Sequence, residues 1–384
     1  MNSVISMLII IILIILLSFL WKKWAIKKVE YDRYVDIEKV FVEDEITITT
    51  EIINKKLLPL PWIEIYYDIP KYLKFKDQIV SDKHFSKSKD YKAITSLFSF
   101  QRVRRYNKFY FTKRGHYSLY KVKLTLGDYL GISFGEIHLK KPIHITVFPI
   151  FEPLNTLILP KNNPQGEISV RRWIIPDPIE ILGVREYTNN DSFNSIDWKS
   201  TAKLNKLHVK KFDYTADPSI MIYLDVQTSK IHWQDIKEKE IEKGVSISAA
   251  ILNKALNENV KVGFTSNCLF NGENYIDFIE PKNVVNQRGL ILDALAKVSY
   301  FRSDPMKDIL NVKAKYLGKS STIVLITSYL SNELINVLNY LDNNYYTVKL
   351  ILLSKTIKED ILNKDIEIYY DYYIDQQKEG VAIE

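Results

Sequence analysis

The chain has few of the residues that build disulfides, thiolate metal sites and phosphate-binding loops. It contains one cysteine, 12 glycines and 13 prolines among 384 residues. A lone Cys268 excludes an internal disulfide and a zinc site made mainly of thiolates. The glycines form neither a Walker loop nor a dinucleotide-binding fingerprint, which disfavours an ATPase or a dehydrogenase. Sparse glycine and proline also argue against long flexible linkers.

The sequence also lacks the pattern of a nucleophile paired with a base. None of its six histidines belongs to a Ser–His or Cys–His pairing pattern. Nothing near Cys268 supplies the histidine that a catalytic thiol needs. We therefore expect a protein that is not an enzyme and that carries no cofactor, with bound Mg²⁺ as the alternative.

Length and composition are those of a globular protein with more than one domain. The 384 residues are 46% apolar and 12% aromatic, which is enough to form two cores and argues against disorder. The formal net charge of +7 is modest for this length. It does not by itself indicate a nucleic-acid partner, and we expect none.

The N-terminus carries a long uncharged apolar run. Residues 4–21 have no charged side chain, and as a helix they would extend about 27 Å, close to the ~30 Å hydrocarbon core of a bilayer. We predict that residues 1–28 are a transmembrane anchor with a basic flank that contacts membrane lipid through residues 4–21. A secretory signal peptide would need basic residues before the run and a small-residue cleavage site after it. Side chains suited to an interface follow instead: Trp21, Trp24, Lys22, Lys23, Lys27 and Lys28.

The position of these lysines predicts the orientation of the anchor. Because four lysines follow the apolar run and none precedes it, the positive-inside rule places everything after the run in the cytoplasm. We expect a single-pass protein of the cell membrane, with its N-terminus outside and its soluble domains inside.

Residues 29–150 have the pattern of an antiparallel β-sandwich. Residues 46–52, 62–66 and 117–124 alternate apolar and polar side chains with a period of two. Several short strands separated by turns are typical of a sandwich. The lysine-rich segment 71–90 is predicted to be a loop or an edge insertion.

Residues 151–182 are predicted to be a crossover linker, with four prolines before Asp177. Beyond it, in residues 183–384, continuous apolar strands alternate with helices, which is typical of a parallel sheet covered on both faces. The pattern predicts strands near 219–226, 260–265, 322–327, 347–354 and 366–374, and helices over 235–257, within 286–316 and over 331–341. The predicted fold is multi-domain α+β: a transmembrane helix, a β-sandwich, and a doubly wound α/β domain that resembles the von Willebrand factor type A fold.

The most distinctive stretch of the sequence precedes the first α/β strand. It mixes single charges and single aromatics at irregular spacing, which neither an amphipathic helix nor a plain strand requires. Ten positions resemble, in order, the signature of the domain-of-unknown-function 58 family: Gly183, Arg185, Tyr187, Asp191, Ile196, Asp197, Trp198, Ala202, Leu207 and Lys210. The resemblance extends upstream through Arg114–Gly115 and residues 127–131, where Tyr129 departs from the expected Asp-Pro.

The family resemblance implies an accessory or adaptor protein. Relatives are commonly encoded beside AAA+ ATPases of the MoxR group, so the resemblance implies such an ATPase as the protein partner. It also implies a two-helix hairpin at the N-terminus in many relatives, whereas this chain has one apolar run.

Three signature residues, Arg185, Asp191 and Asp197, have more than one interpretation. In a catalytic interpretation, the two carboxylates act as general acid or base. In a structural interpretation, an arginine paired to an aspartate holds the buried polar backbone of the crossover, and Trp198 packs over the pair as an apolar lid. In a third interpretation, the signature is an interaction surface.

Five lysines with no intervening acid follow Trp198: Lys199, Lys203, Lys206, Lys210 and Lys211. Their spacing would place the first four on one face of a helix. Alternatively, residues 207–210 form a strand with Leu207 and Val209 inward. A basic face suits anionic lipid or an acidic protein better than nucleic acid, because the aromatic interleaving of single-strand binders is missing. A simple solvated face is the other interpretation.

Asp225 ends the first apolar α/β strand, at the edge where open α/β sheets bind ligands. Type A proteins that bind Mg²⁺ have an Asp-x-Ser-x-Ser motif there, and this chain has Asp225-Val-Gln-Thr-Ser229. Asp225 and Ser229 match the motif, Gln227 does not, and residues 326–328 supply no carboxylate. We consider a degenerate Mg²⁺ site at Asp225 and Ser229, or an aspartate that only caps the following turn.

Taken with the resemblance, these patterns predict a membrane-anchored adaptor that faces the cytoplasm and acts by protein–protein interaction. A metal-dependent binder or hydrolase at Asp225 and Ser229 is one alternative. A structural envelope protein that contacts anionic lipid is the other.

Overall fold

The computed structural model describes residues 2–76, 88–152, 181–188, 193–212, 219–231, 233–270, 276–318, 321–344, 346–354 and 361–370. These residues form a mixed α+β structure with an N-terminal apolar helix and several sheets. The chain divides into two compact units. The first comprises Met1–Glu152, Phe270–Ile276 and Leu292–Ser299, and the second comprises Pro153–Leu269, Asp277–Ile291 and Tyr300–Glu384.

The N-terminal helix α1 (Asn2–Ala25) has a part that is long and apolar enough to cross a membrane, Ile5–Ala25. Most of its described side chains are exposed, but Ser18 and Ala25 are buried. The last turns of α1 therefore pack on the first unit, whereas the preceding turns present apolar side chains outward.

In the residues that the structure describes, the first unit has nine strands in two sheets. One sheet has the order β1-β3-β7-β5 and the other has the order β2-β9-β8-β4-β6. All pairings are antiparallel except that of β2 with β9. The strands are β1 (Val29–Val35), β2 (Lys39–Phe41), β3 (Glu45–Asn54), β4 (Leu60–Pro70), β5 (Leu73–Phe75), β6 (Ser88–Leu97), β7 (Arg102–Phe111), β8 (Gly115–Gly127) and β9 (Phe134–Phe148).

Buried side chains of both sheets form one hydrophobic cluster, including Ile52 and Phe111 from one sheet and Ile65 and Leu124 from the other. This is what period-two alternation requires, because it places one apolar face of each strand inward. In the segment 71–90, which we predicted to be a loop or edge insertion, β5 and the start of β6 are strands. Residues 77–87 lie outside the described residues.

The second unit begins with β10 (Ile181–Glu186) and β11 (His208–Phe212), which pair as a separate antiparallel ladder. A six-stranded sheet follows, with the order β15-β13-β12-β17-β18-β19. Its pairings are parallel except that of β13 with β15. The sheet strands are β12 (Ser219–Leu224), β13 (Lys261–Ser266), β15 (Phe278–Lys282), β17 (Ser321–Thr327), β18 (Thr347–Leu352) and β19 (Glu367–Tyr370), while β14 (Cys268–Phe270) and β16 (Val298–Arg302) form a short ladder.

The helices after α1 in the described residues are α2 (Trp198–Leu204), α3 (Glu238–Asn257), α4 (Gln287–Lys297), α5 (Met306–Lys313) and α6 (Asn332–Asn343). The longest, α3, has acidic residues in its first turn and Lys254 in its last, which complements the helix dipole. A Cβ atom at Gly244 of α3 would lie 2.9 Å from Leu224 Cδ1. The helix therefore approaches β12 closely where its sequence has no side chain.

The order of elements predicted after residue 219 agrees with the structure, with shifted ends and three additional strands. The short strands β14, β15 and β16 were not predicted, because each is three to five residues long. The region 286–316, predicted as helices, also contains β16. The predicted strand 366–374 is described only to Tyr370, and most of the predicted linker, residues 153–180, lies outside the described residues.

Candidate functional site

The carboxylate of Asp225 lies at the carboxyl edge of the parallel sheet, where three strands end. Its Oδ1 atom accepts from Asn267 Nδ2 at 2.7 Å and from the Gln227 amide at 3.0 Å. Its Oδ2 atom accepts from the Thr327 hydroxyl at 2.9 Å. Because Asn267 follows β13 and Thr327 ends β17, this carboxylate ties β12 to both of its neighbours in the sheet.

The environment of Asp225 is buried and polar. Burial raises the pKa of its carboxyl to about 6, although the three donated hydrogen bonds and the charge of Arg302 act in the opposite direction. Arg302 itself donates to the Gln227 side chain. Burial thus favours the protonated carboxyl group, whereas the hydrogen-bond donors favour the carboxylate anion.

The hydroxyls of the loop after β12 face the loop itself. Ser229 Oγ lies 2.8 Å from the Ile231 carbonyl and 2.6 Å from the Gln234 carbonyl. Thr228 Oγ1 donates to the Asp235 carbonyl at 2.9 Å. A Mg²⁺ ion at Asp225 would have to replace donors that the carboxylate already has and to draw Ser229 from these carbonyls. In the part of the chain that the structure describes, no group of three or more His, Cys, Asp or Glu side chains is placed to hold a metal.

Three members of the Asp225 network were not found from the sequence: Asn267, Thr327 and Arg302. Mg²⁺ prefers hydroxyl and carboxylate oxygens, so its motif does not include an amide such as that of Asn267 or a guanidinium such as that of Arg302. In residues 326–328 the motif calls for a carboxylate, which the Thr327 hydroxyl is not. A usable signal was the polar residue directly after each apolar strand, because the ends of parallel strands meet at one edge.

The signature segment forms a small β–α–β element of its own. Strand β10 pairs with β11, so that Arg185 lies opposite Val209 and Gly183 lies opposite Lys211. A 3₁₀ turn (Phe193–Ser195) and α2 lie between the two strands. The Thr201 hydroxyl accepts from the His208 amide at 3.0 Å, which connects α2 to β11.

Asp197 is the N-cap of α2. Its carboxylate accepts from the Ser200 amide at 2.9 Å, and this bond lowers the pKa of the carboxyl below its usual value. The interpretation of Trp198 as an apolar lid over an arginine–aspartate pair is wrong, because its side chain is 67% exposed. Arg185 is exposed too, and one of its contacts is a hydrogen bond that its guanidinium donates to the Glu186 carbonyl.

The remaining signature residues have different surroundings. Ile196 is buried and bridges to Val209, and Tyr187 packs against Phe193 with 5.7 Å between ring centroids. Ala202 and Leu207 are exposed. Asp191 lies outside the described residues.

The predicted basic patch is divided among three structural elements. Lys199 and Lys203 are on α2, Lys206 is in the turn after it, and Lys210 and Lys211 are on β11. The single helical face is therefore wrong, because α2 ends at Leu204 and Asn205 adopts a left-handed conformation. In the strand interpretation Val209 is inward as predicted, whereas Leu207 is exposed.

Solved structures to which the chain is partly similar include the following three proteins. They are alpha-2-macroglobulin from Escherichia coli (15% identity, 32% of this chain and 17% of that chain, TM-score 0.23), a non-cellulosomal cohesin from Archaeoglobus fulgidus (11%, 31% and 91%, TM-score 0.21) and the sporulation control protein Spo0M from Bacillus subtilis (14%, 32% and 50%, TM-score 0.19).

Sequence comparison finds a distant relative and a family. The Uncharacterized protein YeaD of Bacillus subtilis (strain 168) is 19% identical over 247 residues, which is 63% of this chain and 57% of that relative. The chain thus covers little more than half of the relative's length. Residues 183–355, which contain the signature element, the Asp225 site and most of the parallel sheet, match the family described as Protein of unknown function DUF58.

Proposed function

We propose that this chain is a membrane-anchored adaptor that binds another protein through the exposed surface of its signature element. The observation that carries the proposal is the exposure of two aromatic rings, with Phe193 71% and Trp198 67% exposed. Trp and Arg are enriched among the residues that dominate binding at interfaces. A folded element that leaves a tryptophan outward has a surface suited to a partner.

The charge around these rings indicates the chemistry of the partner. Lys199, Lys203 and Lys206 lie beside Trp198 in sequence, and Lys206 makes a 3.1 Å ion pair with Glu186. A basic surface with apolar anchors is complementary to an acidic protein surface. The family resemblance implies an AAA+ ATPase of the MoxR group, and we propose such an ATPase as that partner.

The finer architecture is part of the same proposal. We infer that α1 anchors the chain in the cell membrane with its soluble units on the cytoplasmic side. We also infer that the two N-terminal sheets form a β-sandwich and that the parallel sheet is a type A-like domain. In this arrangement the Asp225 network holds β12 to β13 and β17 at the edge where such sheets bind ligands.

Crosslinked co-purification from detergent tests the adaptor function. We expect the full chain to recover an AAA+ ATPase. The double variant Phe193→Ala/Trp198→Ala should recover about tenfold less, because removing one or two side chains that dominate binding lowers the affinity by about that factor. The matched control is Tyr106→Ala, which removes a 65% exposed aromatic from the first unit.

Each outcome of that experiment has a meaning. If the full chain recovers no AAA+ ATPase, the proposed partner is wrong. If the double variant and Tyr106→Ala recover equal amounts, the partner binds elsewhere. Unchanged melting temperatures of both variants would show that a loss reflects binding and not unfolding.

A metal-dependent binder or hydrolase is the second candidate, favoured by the position of Asp225 at the carboxyl edge of a parallel sheet beside the Thr327 hydroxyl. Thermal melts with and without Mg²⁺ test it. A saturable upward shift that disappears in Asp225→Ala would support this function, because an ion that binds only the folded state raises its stability. The absence of any shift at millimolar Mg²⁺ would reject it.

A further inference from the structure

Two loop regions of the first unit lie against the end of α1 and carry exposed apolar side chains. One region comprises the β3–β4 and β6–β7 loops, and the other is the β8–β9 loop. We call their six large side chains, which are 49% to 77% exposed, the apolar rim: Leu57, Phe98, Phe100, Tyr129, Leu130 and Ile132. Large exposed apolar side chains that lie close together mark a surface for contact with a protein or a membrane.

Hydrogen bonds fix the first region beside the carboxyl end of α1. Lys56 donates its ammonium group to the Ala25 and Lys27 carbonyls, each at 2.6 Å. The Phe100 amide donates to the Lys56 carbonyl at 3.2 Å. Leu57, Phe98 and Phe100 are therefore held at the level where the helix ends.

The β8–β9 loop reaches further along the helix. Asp128 at its start accepts a hydrogen bond from the Ser18 hydroxyl, and both side chains are buried. The Ile132 amide donates to the other oxygen of the same carboxylate at 2.9 Å. A Cβ atom at Gly135 would lie 2.9 Å from Ile26 Cγ1, which shows how closely β9 approaches the residue directly after α1.

The depth of Ser18 decides what covers this loop. Ser18 precedes Lys22 by four residues, which is about 6 Å along a helix axis. Lysines at the end of a span extend to the headgroup level. A loop that contacts Ser18 therefore lies about 6 Å inside that level, at the boundary of the hydrocarbon.

The length of α1 leads to the same position. The part of α1 that is long and apolar enough to cross a membrane, Ile5–Ala25, contains Ser18 seven residues before its end. A bilayer around α1 therefore extends past Ser18, to the level that the β8–β9 loop occupies. The lipid that surrounds the helix there also meets Tyr129 and Leu130.

We propose that the apolar rim is a membrane-inserted surface, with the bilayer leaflet around α1 as its occupant. The β8–β9 loop enters the boundary of the hydrocarbon, and the Leu57 and Phe98 loops rest at the headgroup level. This contact would fix the tilt of the first unit relative to the membrane, which a single spanning helix alone leaves free. The inference depends on α1 spanning the bilayer and is independent of the proposed protein partner.

Fluorescence quenching in proteoliposomes tests the insertion. The full chain carries an environment-sensitive label at Leu130→Cys, and the matched control carries it at Tyr120→Cys. Both positions are exposed and belong to one hairpin, but Tyr120 is seven residues from Gly127 along β8, about 23 Å. A label at Leu13→Cys in α1 reports the anchor, and the parent with buried Cys268 reports background labelling.

We expect phospholipids with a nitroxide near the headgroup to quench the Leu130 label several-fold more than the Tyr120 label. Iodide in the water should quench in the opposite order. The Leu13 label is tested with phospholipids that carry the nitroxide on the acyl chain, because Leu13 lies nine residues, about 13 Å, from Lys22. If these lipids quench Leu13 but Leu130 behaves as Tyr120 does, the insertion is wrong while the anchor stands. If Leu13 is not quenched either, α1 does not span the bilayer and the inference fails with it.

Discussion

At the scale of single residues, the Asp225 carboxyl illustrates two opposing contributions. Three donors point at it, which favours the anion, but burial removes the water that an anion needs and raises the pKa to about 6. Burial is the larger contribution. The carboxyl therefore binds a proton more tightly in the folded chain than in the unfolded chain, where its pKa is near 3.8.

This difference predicts a dependence of stability on pH. The stabilisation that proton binding at Asp225 gives the fold is fully present below about pH 4 and is lost as the pH rises through about 6. We expect Asp225→Asn, which cannot ionise, to lose this component of the pH profile. Thermal melts of the full chain in detergent between pH 4.5 and 7.5 measure it, and parallel profiles for both proteins would contradict the assignment.

At the same scale, substitutions of Asp197 test its role as the N-cap of α2. Asp197→Ala removes the acceptor for the Ser200 amide, so we expect the melting temperature to fall by about 2–4 °C. Asp197→Asn should melt close to the wild type, because asparagine is an equally good N-cap. A large fall for both variants would instead indicate that the negative charge itself is required.

At the scale of elements, the edge strand β15 depends on a glycine. A Cβ atom at Gly263 of β13 would lie 2.5 Å from the Ile279 carbonyl oxygen and 2.7 Å from the Pro281 nitrogen. Both are backbone atoms, and they cannot yield as the end of a side chain does. The pairing of β13 with β15, which has an irregular register between Val262 and Phe264, therefore requires the missing side chain.

We predict that Gly263→Ala destabilises the second unit by about 1–3 kcal/mol. The matched control is Gly289→Ala in α4, where a Cβ atom would meet nothing within 4 Å. That change should be neutral or stabilising by up to about 1 kcal/mol, because alanine favours a helix over glycine. Melting temperatures of the two variants decide the matter, and equal values would contradict the close approach at Gly263.

At the scale of the whole molecule, lysine asymmetry predicts the side of the membrane on which the second unit lies. A cysteine at Val285, which is almost fully exposed, provides a reporter. We expect a membrane-impermeant maleimide to label Val285→Cys only after the cells are permeabilised, since the positive-inside rule places this residue in the cytoplasm. The parent protein, whose Cys268 is buried, supplies the background. Labelling of intact cells would show the opposite orientation.

The sequence alone predicted those features that depend on a pattern of several neighbouring residues. The apolar run predicted a helix that is long and apolar enough to span a membrane, and α1 is such a helix. Period-two alternation predicted strands such as β3 and β8, and the order of strands and helices after residue 219 followed from their periodicity. The signature residues predicted the family that residues 183–355 match. The type A-like fold, the orientation and the protein partner stay predictions.

The tertiary structure decided which side chains meet. Periodicity describes neighbours along one element, but Asn267 and Thr327 reach Asp225 from 42 and 102 residues away in sequence. In the same way, Ser18 meets Asp128 across 110 residues, so the depth of the β8–β9 loop could not be read from either segment. Exposure of Trp198 likewise depends on packing, because a tryptophan has the same local pattern whether it covers a core or faces solvent.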